Sequence, residues 1–257
     1  MQGLGNDYIY FYTDKVPDNI EDMSVRLSDR HFGIGSDGII LILPSEKADF
    51  MMRIYNADGS EAKMCGNGIR CVGKYVYDKH YTDKETLLVD TLSGIKTLHM
   101  TAENGKVKSV SVDMGKAVVG DENKITVIKH LITYIPVSVG NPHAVVVCGD
   151  AEFAPLDTIG KAMERHEQFP GGVNVEFVSS LGENKLRMRV WERGSGITMA
   201  CGTGACATVA AACSAGLAKY GVETEVVLDG GSLFITVQEN GDVIMRGPAE
   251  IAFEGEI

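Results

Sequence analysis

At 257 residues, with a formal net charge of -11, a pI near 5.0 and 44% hydrophobic residues, the chain has the length for one large domain or two small ones. That charge argues against a nucleic-acid partner, which needs clustered Lys and Arg. The start MQGLGNDY has neither a basic n-region nor an apolar h-region, and no stretch approaches the ~20 apolar residues of a membrane span, so a cytoplasmic location without a membrane partner is expected.

The elements follow in chain order. Gly5-Asn6 precedes an apolar run, IYFY, that predicts a buried strand; a helix is expected next, then strands at GIILIL (38–43) and MRIYN (52–56), a Gly59-Ser60 turn, and C-G-N-G at Cys65. The segment IRCVGKYVYDKH has apolar positions three and four apart and predicts a helix beginning at that cysteine. TLLVDTLSG and KTLHMTAENGKVKSVSVDMG alternate apolar and polar residues around an Asn-Gly turn and predict antiparallel hairpins. The same order then returns: Gly140-Asn141 before AVVV, VNVEFV (173–178), MRVWE (188–192), Gly194-Ser195, C-G-T-G at Cys201, the helical ACATVAAACSAGLAK, and the hairpin segments EVVLDGGSLFITVQENGDVIMRG and IAFEGEI.

The recurrence is a duplication. Met52 and Met188 are 136 positions apart, as are Cys65 and Cys201, while Gly5-Asn6 and Gly140-Asn141 are 135 apart. It predicts an α+β fold of two pseudo-symmetric domains, each a curled, barrel-like antiparallel sheet around a central helix, related by a pseudo-twofold axis with the active site between them. The glycine and charge of MGKAVVGDENK place the boundary near residues 112–125. The domains are set at 1–115 and 116–249, with a last strand over 250–257 expected to return to the first.

Six cysteines occur with no C-x-x-C spacing and no histidines in a zinc-ligand pattern, which predicts reduced thiols and no metal site. In C-G-N-G and C-G-T-G the glycines let backbone approach a ligand, and the helix that follows aims free N–H groups and its positive end at it, as a carboxylate requires. The same end favours thiolate over thiol, so Cys65 and Cys201 are expected to be activated. Thiolates facing each other repel, so one proton should be shared over the pair, leaving one base and one acid. Placed on opposite faces of a carbon, such a pair inverts its configuration, and an amino-acid racemase or epimerase needing no cofactor is expected. Cys71, Cys148, Cys206 and Cys213 sit in apolar runs as small core residues, and His31, His80, His99, His130 and His166 have no chemical context.

The signatures GLGND, DRHFGIGSDG, NADGSEAKMCGNGIRC, VSVGNPHAV, GGVNVEFV and WERGSGITMACGTGACA, spread over essentially the whole chain, resemble the diaminopimelate epimerase family. The resemblance implies interconversion of LL- and meso-diaminopimelate in bacterial lysine and cell-wall precursor synthesis, usually by a homodimer, with neither metal nor cofactor. By motif it implies that Cys65 and Cys201 are the two bases, that Gly66-Asn67 and Gly202-Thr203 clamp the reacting carboxylate, and that Asn6, Asn56, Asn141, Asn174, Glu192 and Arg193 contact substrate. Arg193 suits a distal carboxylate bidentately and Glu192 an ammonium; His143, with Glu192, is expected to orient a thiol or help move its proton.

Two positions depart from the pattern: Gly38 stands where some members carry Gln, and Phe253 where a Tyr often packs in the dimer. The rival within the superfamily, a proline or hydroxyproline racemase, typically carries His where this chain has Asn67 and lacks a match to Glu192-Arg193. A rival of another class is a redox protein that joins Cys65 to Cys201.

Overall fold

The computed structural model describes residues 1–256 and falls into two compact units: Met1–Asp113 with the stretch from Arg246 onward, and Met114–Met245. In the first unit the strands β1 (Gln2–Gly3), β2 (Asn6–Asp7) and β3 (Ile9–Tyr12) precede the helix α1 (Ile20–Ser28). They are followed by β4 (Gly38–Leu43), β5 (Phe50–Asn56), β6 (Glu61–Ala62), the helix α2 (Gly66–Asp78), β7 (Thr86–Thr91), β8 (Gly94–Glu103) and β9 (Lys106–Lys116), whose end opens the second unit.

GIILIL forms β4 with every residue buried, because both faces of the strand are covered, and an uninterrupted apolar run is what such a strand needs. Ile39, Leu41 and Leu43 pack with Ile20 and Leu27 of α1 and with Tyr55. Ile40, pointing the other way, reaches α2 at Gly68. Further along α2, Gly73 lies against Leu98, Met100 and Val110 so closely that a Cβ there would stand 3.0 Å from Leu98; the strands wrap the helix. At the helix end, Lys74 and Asp78 form a buried ion pair at 2.8 Å, and each also bonds the backbone of Val107. The β8–β9 hairpin turns at Asn104-Gly105, both with positive φ, the geometry that selects Asn-Gly.

The second unit begins with β10 (Val118–Val119), β11 (Asn123–Val127) and β12 (His130–Ser138), which have no counterpart in the first, and then repeats its order. The strand β13 (Pro142–Val147) leads through short helical turns into α3 (Lys161–Glu164), β14 (Asn174–Gly182), β15 (Lys185–Glu192), β16 (Gly196–Ile197), the helix α4 (Gly202–Ser214), β17 (Thr224–Leu228), β18 (Gly231–Val237) and β19 (Asp242–Gly247). One face of β13 and β14 (Ala144, Val146, Val175 and Phe177) forms a core with Leu156, Ile159 and Met163. The other turns toward α4, which packs against β12, β13, β14 and β18.

The α+β class is as expected, and both cysteine helices begin where their motifs place them, with Cys65 and Cys201 as N-caps. Two details differ. The sheets are mixed: β3–β4 and β5–β7 are parallel, as are β13–β14 and β15–β17. Each parallel pair spans a helical crossover, which a parallel connection requires and a two-residue turn cannot supply. The strand expected over 250–257 also does not form among the described residues: Glu250 makes a single bridge with Gln2, and 251–256 have no regular structure. The edge it would extend is only two residues long and already pairs β2. No helix among the described residues is long and apolar enough to cross a membrane.

Candidate active site

Each thiol occupies an N-cap, a position that Ser, Thr, Asp or Asn commonly fills. Cys65 and Cys201 both have extended backbone, and their sulfurs accept from the N–H groups of Gly68 and Gly204, each at 3.3 Å. The glycines are required by the approach. A Cβ on Gly204 would stand 3.1 Å from the Cys201 sulfur and 2.8 Å from a Glu176 carboxylate oxygen.

In the first unit Cys65 Sγ donates to Asn6 Oδ1 at 3.2 Å, and the Asn6 amide is oriented by donating to Asp37 Oδ2 at 2.7 Å. Arg30 ties Asp37 to Asp7, contacting both at under 3 Å. Gly66 and Asn67 are buried in the first turn of α2. Asn56 ends β5, bonding Ser60 through its side chain and Ser24 through its carbonyl. Its ladder partner is Gly38, where φ is +152° and a Cβ would lie 2.2 Å from the Tyr55 carbonyl oxygen. A side chain is sterically excluded there, and the Gly38 N–H is taken by Ser36 Oγ.

In the second unit Cys201 Sγ is 3.7 Å from Thr203 Oγ1, which accepts from Asn141 at 3.2 Å. Asn141 meets His143 Nε2 at 3.0 Å, and His143 Nδ1 meets Glu176 at 2.6 Å. Glu192 accepts from Thr198 and from Cys201. Burial, aided by the nearby Glu176 carboxylate, raises the Glu192 pKa against the lowering effect of these two bonds. Burial also pushes the Cys201 thiol well above its ordinary value, aided by the negative charges of Glu192 and Glu176. Against the ~0.3–1 kcal/mol that a helix terminus supplies at exposed sites, desolvation and the two carboxylates act in the opposite direction at Cys201.

Asn174 is a backbone clamp: its Nδ2 donates to Pro142 O at 3.0 Å and its Oδ1 accepts from the Arg193 N–H at 2.9 Å. The Arg193 guanidinium is exposed and bonds Gly171 O. Glu164 holds the neighbouring backbone by accepting from Trp191 Nε1 at 2.7 Å and Gly194 N at 2.8 Å. Thus Cys65 is joined to Asn6, Cys201 to Thr203, Asn141, His143 and Glu192, and Asn174 to Arg193, whereas Asn56 bonds its own turn.

Asp37, Glu164, Glu176 and Thr198 were not singled out from the sequence. Glu176 had a signal: it is the one charge inside the apolar run VNVEFV. Asp37 and Thr198 had only their nearness to motif residues, and Glu164 had none.

The fold is shared with solved structures of low sequence identity. A hydroxyproline epimerase from Agrobacterium vitis matches with a TM-score of 0.67 over 96% of this chain and 86% of its own, at 17% identity. A PhzF-family phenazine biosynthesis protein from Enterococcus faecalis matches with a TM-score of 0.72 over 96% and 91%, at 14% identity. Sequence narrows the class. The family model for diaminopimelate epimerase matches residues 1–120 and 135–252. Diaminopimelate epimerases of Methanococcus maripaludis and Bacillus subtilis are 50% and 45% identical, covering 100% and 99% of this chain and 98% and 96% of their own. The chain belongs to the diaminopimelate epimerase family and is an isomerase.

Proposed function

We propose that this enzyme interconverts LL- and meso-diaminopimelate in lysine biosynthesis by a two-base mechanism without a cofactor, with Cys65 and Cys201 as the bases. The observation that carries the reading is that both members of a duplicated C-G-x-G motif cap a helix with a thiol that accepts the same N–H bond, at Gly68 and at Gly204. Such a bond favours the thiolate when it forms, and the glycine-rich first turns of α2 and α4 leave backbone donors for a carboxylate.

In this mechanism one thiolate removes the α-proton and the other thiol delivers a proton to the opposite face. The carboxylate carries the developing negative charge on pre-aimed donors, Gly66-Asn67 and Gly202-Thr203. Burial, Glu192 and Glu176 oppose ionisation of Cys201, and one proton is shared over the pair, so that one thiol acts as base and the other as acid in each direction. Asn6, Asn56, Asn141, Asn174 and Glu192 bind the amino-carboxylate groups, and Arg193 pairs with the distal carboxylate. His143 supports Cys201 through Asn141 and Thr203. The enzyme works in the cytoplasm as a homodimer, with Phe253, 67% exposed in the single chain, in the contact.

Turnover of LL-diaminopimelate in deuterated water tests this. Cys65→Ser and Cys201→Ser each abolish epimerisation with deuterium uptake at the α-carbon. Wild-type turnover in either variant refutes the two-base assignment, and wild-type turnover of proline refutes the substrate.

A further inference from the structure

We propose that Glu176 is a positioning residue for the Cys201 side of the reaction, acting through His143. The inference rests on the reading of Cys201 as an acid and base. Strand geometry sets up the arrangement: along β14, Val175 and Phe177 enter the apolar core, so Asn174 and Glu176 share the opposite face. His143 is the ladder partner of Asn174 on β13, and Val190 on β15 is the partner of Glu176, two residues from Glu192. A carboxylate is thereby placed among apolar neighbours on β14, fully buried, between His143 and the first turn of α4.

A buried carboxylate is retained where its charge has a partner. Glu176 Oε1 lies 2.6 Å from His143 Nδ1, with both side chains wholly inaccessible, and Oε2 has no hydrogen-bond partner among the described residues. Because an ionised carboxylate only accepts, Nδ1 must donate. That fixes the ring plane and aims Nε2 at the Asn141 Oδ1 acceptor, to which it donates at 3.0 Å. The amide bonds Thr203, whose hydroxyl faces the Cys201 sulfur. Glu176 thus reaches the thiol by two routes: a chain of oriented groups ending at Thr203, and its charge behind the α4 helix start. The titratable groups around Cys201 in this unit are His143 from β13, Glu176 from β14 and Glu192 from β15.

The two routes separate experimentally. Glu176→Gln lowers kcat at least tenfold with KM changed less than twofold, and moves the pH profile of Cys201 alkylation by iodoacetamide, read on its own peptide, toward lower pH while leaving that of Cys65 in place. Glu176→Asp keeps the charge but withdraws it from Nδ1, so kcat falls and the Cys201 profile stays. The double variant Glu176→Gln/His143→Gln is no slower than His143→Gln alone. Independent, multiplying losses in kcat overturn the route through His143, and an unmoved Cys201 profile in Glu176→Gln overturns the charge route. If Glu176→Gln loses its native circular dichroism, Glu176→Asp combined with His143→Gln decides by the same comparison. Turnover retained in Cys201→Ser, by contrast, removes the underlying reading whatever the Glu176 variants do.

Discussion

Gly204→Ala places one methyl group where the geometry allows the outcome to be worked through. Gly is disfavoured inside a helix by roughly 0.5–1 kcal/mol relative to Ala, so the substitution in the first turn of α4 brings a gain of that size. Against it, the new Cβ would meet Glu176 Oε1 at 2.8 Å, Cys201 Sγ at 3.1 Å and Cys201 Cβ at 3.2 Å, and overpacking of this kind costs about 1–3 kcal/mol. The cost equals or outweighs the gain, so stability falls by about 0–2.5 kcal/mol. Activity does not escape, because the atoms that must move are the thiol and its neighbouring carboxylate. With Cys201 as a reacting group in the proposed mechanism, a displacement of ~1 Å costs on the order of 100-fold, and a shift of a few tenths predicts a fall of about 10-fold in kcat. Single-turnover kinetics read kcat, and urea unfolding followed by Trp191 fluorescence reads stability. Gly204→Ala with full kcat refutes the claim that Cys201 sulfur placement is set by the absence of that methyl. The duplicated change Gly68→Ala behaves differently, since its Cβ would press first on Ile40 Cδ1 at 2.5 Å, so it loses stability first.

Three further outcomes are expected. Gly38→Gln, which installs the side chain some relatives carry, adds backbone strain of about 1–3 kcal/mol to a clash with the Tyr55 carbonyl; the midpoint of urea unfolding falls measurably, and an unchanged midpoint contradicts the steric reading. Lys74→Ala leaves Asp78 buried without its cation, 2.8 Å away in the wild type, and destabilises by about 3–5 kcal/mol; Lys74→Met/Asp78→Leu is less damaging, as a melting series shows. Glu164 meets opposing influences: burial raises its pKa, but the bonds from Trp191 and Gly194 prevail and hold it below its ordinary 4.5. Its folded pKa being depressed, its stabilisation is fully present above pH 4.5 and is lost as pH falls through the folded value. Glu164→Gln therefore flattens the acid limb of a stability-against-pH curve, and an unaltered limb refutes the assignment.

The repeat was legible because the same residue pairs recur at matching spacing: cysteine before glycine at a helix start, and glycine before asparagine at a strand, where Gly5 and Gly140 both have positive φ. Helix positions followed, since Cys65 and Cys201 cap α2 and α4 as the motifs require. The parallel pairs were not legible. GIILIL and IYFY are apolar on both faces, and such runs carry no sign of strand direction. Nor was the thiol environment legible, for the Cys201 shift arises first from burial in the folded chain and then from carboxylates 9 and 25 positions away in sequence. Gly38 is the converse case: judged from sequence it lacks a side chain, yet its positive φ and closeness to Tyr55 show a position that accepts none.

The make-up of α4 has a consequence for how this gene can change. From Gly204 to Ala212 the helix reads GACATVAAA, and every residue is buried. Its small side chains record how close the surrounding strands come. Enclosed in this way, the helix has no free face on which substitutions can accumulate harmlessly, and larger residues at Ala205, Ala207, Ala210 or Ala211 displace either a strand or the helix itself. In a saturation library these positions form a band of intolerance, although none of them is among the proposed site residues. Mutational sensitivity in this enzyme therefore extends from the Cys201 cap down the whole helix that it begins.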